Sequence, residues 1–213
     1  MSVLKVCKID VDMSTLSYHA IQQQLGTLSW QDIDQANWSQ DYPYKPTVSF
    51  QIGHNATHVI LHFAVEEEFI KAQYVRPNEA VWEDSCVEFF LSFDQGQTYY
   101  NMEFNVLGTG LIGYGPANKA LRNRLSADLI SSVQTLTTVV NAGGKKNWNL
   151  IMLVPTSIFK AQLKGGLAQV KASANFYKCG DELPNPHFLS WKAIDHPTPN
   201  FHLPAYFGDL IFE

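Results

Sequence analysis

The sequence predicts an all-β fold, an antiparallel β-sandwich of jelly-roll type with one or two short helices, on three observations. Short apolar runs with period-two alternation recur along the chain, punctuated by Gly, Pro, Asn and Asp turns. Aromatic residues reach 13%, mostly Phe and Tyr, side chains that pack well on a pleated surface. The strand–helix alternation of a doubly wound sheet is absent. With 213 residues, 46% hydrophobic and 16% charged, the chain can close one sizeable core. Residues 1–213 therefore read as a single domain, with no internal repeat and no linker.

Taken in order, residues 3–9 open the chain as a strand. Residues 14–25 read as a short helix with Ser14 as its N-cap. Residues 30–46 hold Asp, Asn, Gln, Ser and two prolines, a loop composition. Residues 47–52 and 58–65 are strands around a Gly53-His54-Asn55-Ala56 turn, and residues 69–74 are a further strand candidate. Residues 87–93 and 99–106 flank the compact turn Asp94-Gln95-Gly96-Gln97, so they form a hairpin. The glycine-rich run 108–115 reads as a strand to which another group must approach closely. Residues 129–140 and 148–154 pair around Asn141-Ala142-Gly143-Gly144, and residues 155–163 form a short helix. Strands at 169–177, 188–191 and 206–212 complete the set, with a Pro- and His-rich loop between 179 and 204.

Charge and cysteine usage exclude several functions. The net charge is −5 and the cations are scattered, whereas a polyanion needs clustered cations, so nucleic acid is not an expected partner. The N-terminus lacks the apolar core of an export signal, and no run approaches membrane-spanning length. As it stands the chain reads as soluble, without membrane insertion and with its location open. Cys7, Cys86 and Cys179 are widely spaced and contain no CxxC pair. They read as buried free thiols rather than a zinc site, with one disulfide plus one thiol as the alternative. His58 and His62 share a strand face but lie ~13 Å apart, too far to share a metal. The signatures of nucleophile elbows, phosphate loops and dinucleotide folds are absent.

The functional signal lies in the hairpin. By alternation, Val87, Phe89, Leu91 and Phe93 share one face of the first strand, and Glu88, Phe90 and Ser92 the other. In the second strand, Tyr100, Met102, Phe104 and Val106 oppose Tyr99, Asn101, Glu103 and Asn105. Pairing puts Glu88 on the same side as Glu103 and Asn105, with Trp82 at the rim. A flat ring stacks on the C–H face of a sugar, and carboxylates and amides bind its hydroxyls. The competing reading is the solvated outer face of a sandwich. Two acids on neighbouring strands also raise a glycoside hydrolase using Glu88 and Glu103. The loop Asp32-Ile33-Asp34-Gln35-Ala36-Asn37 is a candidate for calcium or for a simple turn.

Four blocks together resemble the family-nine carbohydrate-binding modules, sugar-binding β-sandwiches found beside xylanases or alone. They are Asp34 to Trp38; Trp82-Glu83-Asp84-Ser85-Cys86-Val87-Glu88; Tyr99 to Asn105 followed by Gly108; and the tail Phe188-Leu189-Ser190-Trp191 with Phe201 to Leu210. The resemblance implies a non-catalytic domain in which two rings sandwich a sugar or glycan end. It implies Trp82 as one ring, Trp38 or Trp191 as the other, Glu88 as hydroxyl acceptor and Asn105 as an amide contact. Glu103 stands where such modules carry Arg, and Arg122 or Arg124 is the candidate replacement cation. No cofactor is implied beyond the structural calcium of some relatives. The departure at Glu103 also admits an interaction domain whose sugar site has decayed.

Overall fold

Residues 3–11 and 17–213 are described by the computed structural model. Its strands are β1 (Leu4–Lys8), β2 (Gln31–Asp32), β3 (Thr47–His54), β4 (His58–Glu67), β5 (Cys86–Ser92), β6 (Tyr99–Asn105) and β7 (Gly110–Gly115). They continue as β8 (Asn123–Arg124), β9 (Gln134–Ala142), β10 (Lys145–Pro155), β11 (Lys171–Cys179), β12 (Phe188–Ser190) and β13 (Gly208–Phe212). Among the described residues two α-helices, α1 (Tyr18–Leu25) and α2 (Ala127–Ser131), accompany them.

The strands run in the order β8-β7-β6-β5-β11-β13-β1-β3-β4-β10-β9, with β12 on β11 and β2 on β3. β1 is where the sheet folds over. Its residues Leu4–Val6 pair in parallel with β13, and Cys7 and Lys8 pair in parallel with β3. The other pairings are antiparallel. The inner faces of the two layers meet across a stack of rings. Phe50 of β3 lies 3.7 Å from Phe176 of β11, centroid to centroid, and Phe176 lies 4.8 Å from Phe89 of β5. Val87, Leu91, Met102 and Phe104 share this interior with Leu61, Phe63, Leu150 and Met152. These are the apolar faces expected from alternation, and their removal from water supplies the main drive for closing the sandwich.

Each outer face is also covered. α1 lays Ile21 and Leu25 against Ile60, Ile151 and Leu153 of the β4–β10 layer. The outer face of the β5–β6–β11 layer is roofed by residues 188–207, with Phe90, Tyr99 and Tyr177 beneath Phe201, Phe207 and Ile194. That roof explains why every residue of β5 and β6 is buried, polar ones included.

One buried charge cluster ties the two layers together. Lys178, on the inward side of β11, lies 3.0 Å from Glu67 Oε2 at the end of β4, a charge contact rather than an aligned hydrogen bond. Glu67 Oε1 accepts from the Trp148 indole at 2.7 Å. Lys178 donates to the Cys179 carbonyl, and its Nζ lies 2.8 Å from His187 Nε2. Burial, reinforced by the lysine charge, pushes the His187 pKa down to about 3, so the ring is neutral and accepts that bond.

The structure corrects four local expectations. Ser14 lies outside the described residues, and α1 is capped by Ser17, whose Oγ accepts from Ala20 N at 3.2 Å. Residues 69–74 form no strand. Their backbone donors are taken by side chains instead: Gln73 N and Tyr74 N donate to the Asp84 carboxylate, and Lys71 N to Ser85 Oγ. The start of the expected strand at 129 belongs to α2, capped by Ser126, and β9 begins at Gln134. The helix expected at 155–163 shortens to a single 3₁₀ turn, Thr156–Phe159.

Candidate functional site

β5, β6 and β11 form the floor of the site. Glu88 pairs directly with Glu103 across β5–β6 and with Tyr177 across β5–β11, so all three side chains point to the same outer face. Asn101 stands two residues from Glu103 on that face and donates to its Oε1 at 2.8 Å. β7 contributes Leu111 and Gly113, opposite Glu103 and Asn101. Gly113 has a steric reason: a Cβ there would press on the Asn101 carboxamide. This is the close approach expected of the glycine-rich strand.

Above this floor lies a cleft of about 400 Å³. Trp82 lines it from the 3₁₀ turn before β5, and Phe188 and Phe201 line it from the tail. Lys119, Arg122 and Arg124 line it from the segment around β8, and Asp181 and His202 complete the polar rim. The tail is held over the sheet by phenols. Tyr99 Oη lies 2.8 Å from His202 Nδ1, and Tyr177 Oη donates to the Phe201 carbonyl at 3.2 Å.

The electrostatics of the floor follow from its dryness. Glu88 is 4% exposed, and burial first, then the neighbouring Cys179 and Glu103, raises its carboxyl well above the usual range. Burial raises Glu103 too, opposed by the Asn101 hydrogen bond and by Arg124, Lys119 and Arg122. Asp181 is exposed at the rim, yet desolvation of its carboxyl and the charge of Glu103 move it up to about 6. Burial, with Lys119 and Arg122 nearby, lowers His202 to about 3, leaving it neutral.

The two candidate cations have different roles. Arg122 is saturated: it donates to the carbonyls of Gly115, Pro116 and Tyr99 and to Asn101 Oδ1, and lies 3.9 Å over the Tyr99 ring. It therefore braces Asn101. Arg124 is exposed and makes one hydrogen bond among the described residues, to Asn78 O at 3.2 Å. Its guanidinium stands 5.6 Å from the centroid of the Trp82 ring, where it can face a ligand.

Three of the five candidate site residues, Trp82, Glu88 and Glu103, come together at the cleft. Asn105 shares their face but lies outside the cleft. Its Nδ2 donates to Tyr74 O and Asp84 Oδ2, and its Oδ1 accepts from Leu107 N and Thr109 N. With both ends engaged and no exposure, it braces the entry to β5. Trp38 is 6% exposed and lies behind the cleft wall, edge-on to Phe188 and tilted against Phe201. Its indole donates to His196 O at 2.7 Å, so it holds the tail rather than facing the cleft. Trp191 packs edge-on against Phe50 and Phe176 of the core. The rings that line the cleft with Trp82 are Phe188 and Phe201; the tail block contains both, but the resemblance implies Trp38 or Trp191 instead, since neither alternation nor the block shows how the tail folds back over the sheet. In the loop at 32–37, Asn37 bonds Ser190 Oγ and Ile194 N, which ties that turn to the tail.

The thiols also group unexpectedly. Cys86 and Cys179 are directly opposed across β5–β11, and with Glu88 their donor atoms all lie within 4.8 Å of one another. Cys179 Sγ donates to Glu88 Oε1 at 3.2 Å. Burial pushes Cys86 up to about 11 and raises Cys179 well above the usual thiol range, so both are protonated thiols. Cys7, expected to be buried, is half-buried beside Glu213.

Comparison with known proteins places this arrangement. The family model for carbohydrate-binding family 9 matches residues 19–212. A crystal structure from Bacteroides uniformis ATCC 8492, of a protein whose carbohydrate-binding name is provisional, is 39% identical. It covers 99% of both chains with a TM-score of 0.90. Family 9 modules from Caldicellulosiruptor kristjanssonii in complex with glucose and with cellotriose share the fold at 11% and 10% identity. Their TM-scores are 0.64 and 0.59, over 100% of this chain and 96% and 94% of theirs. No curated protein matches the sequence. With a matching family model spanning nearly its whole length, and a sandwich whose roofed outer face opens into an aromatic and carboxylate cleft, this chain belongs to carbohydrate-binding family 9.

Proposed function

We propose that the cleft binds a carbohydrate, without catalysis, by stacking on Trp82 and hydrogen bonding to Glu88, Glu103 and Asn101. The observation that carries this reading is the direct pairing of Glu88 with Glu103 beneath a half-buried tryptophan in an open cleft. Phe188 or Phe201 supplies the second apolar wall. Arg124 and Lys119 supply donors at the rim, in place of the arginine expected at position 103. Because burial makes the Glu88 carboxyl hold its proton more strongly than usual, it can both donate and accept, which suits a vicinal diol. The affinity is modest, because such contacts replace equivalent hydrogen bonds to water.

A hydrolase is the less favoured reading. Glycoside hydrolysis places two carboxyl groups on opposite sides of the scissile bond, one ionised and one protonated. Glu88 and Glu103 project from adjacent strands toward the same face, and burial raises both rather than driving them apart.

The test is calorimetric titration with glucose, cellotriose and xylo-oligosaccharides, followed by Trp82→Ala. Loss of binding with an unchanged melting temperature is expected. Sugar affinity undiminished by Trp82→Ala, or turnover of aryl glycosides abolished by Glu88→Gln, would overturn the reading.

A further inference from the structure

We propose that Cys86, Cys179 and Glu88 form a binding site for one thiophilic divalent cation, of the zinc and cadmium class, in the floor of the cleft. Three donors converge there: the thiols face each other across β5–β11, and the Glu88 carboxylate stands two residues along β5 on the same face. Tetrahedral zinc with two sulfurs and an oxygen separates its donors by about 3.5–3.8 Å, from bond lengths near 2.3 and 2.0–2.2 Å. The Cys179 Sγ–Glu88 Oε1 separation of 3.2 Å and the 4.8 Å limit on the whole group bracket that size.

Donor chemistry selects the metal. Two sulfurs disfavour calcium and magnesium, which take oxygen, and favour zinc or a softer ion. The supports are rigid, because β5 and β11 are central strands paired on both sides. Cys179 and Glu88 line the cleft, which gives the ion an entry path and leaves a fourth position for water or a ligand hydroxyl. Binding replaces the protons of the two thiols and of the Glu88 carboxyl, which leave to solvent, and so yields three anionic ligands. No electron transfer is involved.

The metal site shares the cleft and Glu88 with the carbohydrate reading, but it rests on the two thiols and not on that reading. The experiment uses the full chain, reduced, stripped with a chelator and free of sugar. It is titrated with cadmium, whose thiolate complexes absorb in the ultraviolet, and then with zinc in competition. One equivalent should bind with a sulfur-to-cadmium band and be displaced by zinc. Cys86→Ser and Cys179→Ser should each weaken binding by more than the roughly 10–100-fold cost of losing an outer-shell partner. Glu88→Gln should weaken it with the thiolate band retained, and Cys7→Ser should change nothing. Absence of the band in the reduced wild-type protein would overturn the proposal. So would a band that survives Cys86→Ser but disappears with Cys7→Ser, or reduced protein that forms a Cys86–Cys179 disulfide in air yet takes up no metal. The wild-type titration decides the matter even where a variant fails to fold.

Discussion

Replacing Glu67 by alanine probes the buried charge cluster that joins the two layers behind the cleft. The substitution leaves the Lys178 ammonium fully buried without its carboxylate, and the Trp148 indole without an acceptor. A stranded partner of a buried pair costs about 3–5 kcal/mol. An orphaned buried donor adds about 1–3 kcal/mol. Because both losses share one carboxylate they are not additive, and about 4–6 kcal/mol is expected for the two together. For a chain of this length each kcal/mol lowers the melting temperature by about 2–4 °C, so a fall of about 10–20 °C follows. Thermal unfolding by circular dichroism and urea denaturation would measure it. Glu67→Gln, which keeps an acceptor for Trp148, should fall between wild type and alanine. The double variant Glu67→Leu/Lys178→Met should be more stable than Glu67→Ala alone, because it leaves no uncompensated charge. A loss under about 1 kcal/mol for Glu67→Ala, or a double variant less stable than that single one, would refute the cluster as the tie between layers.

Asn105→Ala should cost about 3 kcal/mol, since its buried bond to Asp84 and its three part-buried bonds to Tyr74 O, Leu107 N and Thr109 N are all lost. At a temperature where both variants are folded it should reduce sugar affinity less than Asn101→Ala does, as titration calorimetry would show. Gly113→Ala should weaken sugar binding by displacing Asn101, which Glu103 and Arg122 hold in place, and destabilise by about 1–3 kcal/mol; an unchanged affinity would contradict the packing. The raised carboxyls set a pH dependence. A group whose folded pKa is raised adds stability that is complete below its unfolded pKa, 4.5 for Glu88 and 3.8 for Asp181. That stability is lost as pH rises through the folded pKa, about 6 for Asp181 and well above the ordinary value for Glu88. Melting temperatures from pH 4 to 8 should therefore fall further for wild type than for Glu88→Gln, and parallel curves would refute the burial of that acid. Trp38→Phe keeps the ring contacts but removes the bond to His196 O, and should raise hydrogen exchange in residues 194–202 more than elsewhere.

Much of the β5–β6 hairpin was legible from period-two alternation, because each strand is a short, regular object with one apolar face. That Glu88 shares a face with Glu103 followed from alternation and the compact turn; their direct pairing is what the structure adds. Asn105 shows the limit of that logic. Alternation gives the face of a residue but not what lies above it, and above Asn105 lies the strap of residues 73–84 rather than open cleft. Trp38 illustrates the same limit, since a position near the start of the chain does not reveal that the tail folds across it. Residues 69–74 look like a strand in composition, but Asp84 and Ser85 satisfy their backbone before any neighbouring strand can.

The sequence by itself determined the sandwich class, the polar face of the hairpin and the ring at its rim. Those depend on composition, alternation and a short turn, all interactions between near neighbours. Tertiary structure alone decided that the polar face is roofed rather than solvated, because residues 188–207 return over strands that lie some hundred residues earlier in the chain. It also decided the fate of the cysteines. Cys86 and Cys179 are separated by almost half of the chain, and nothing in their spacing signals contact. The antiparallel register of β5 with β11 sets them face to face beside Glu88. Such register is fixed by burial of whole faces, a property of the assembled sheet and not of any one strand.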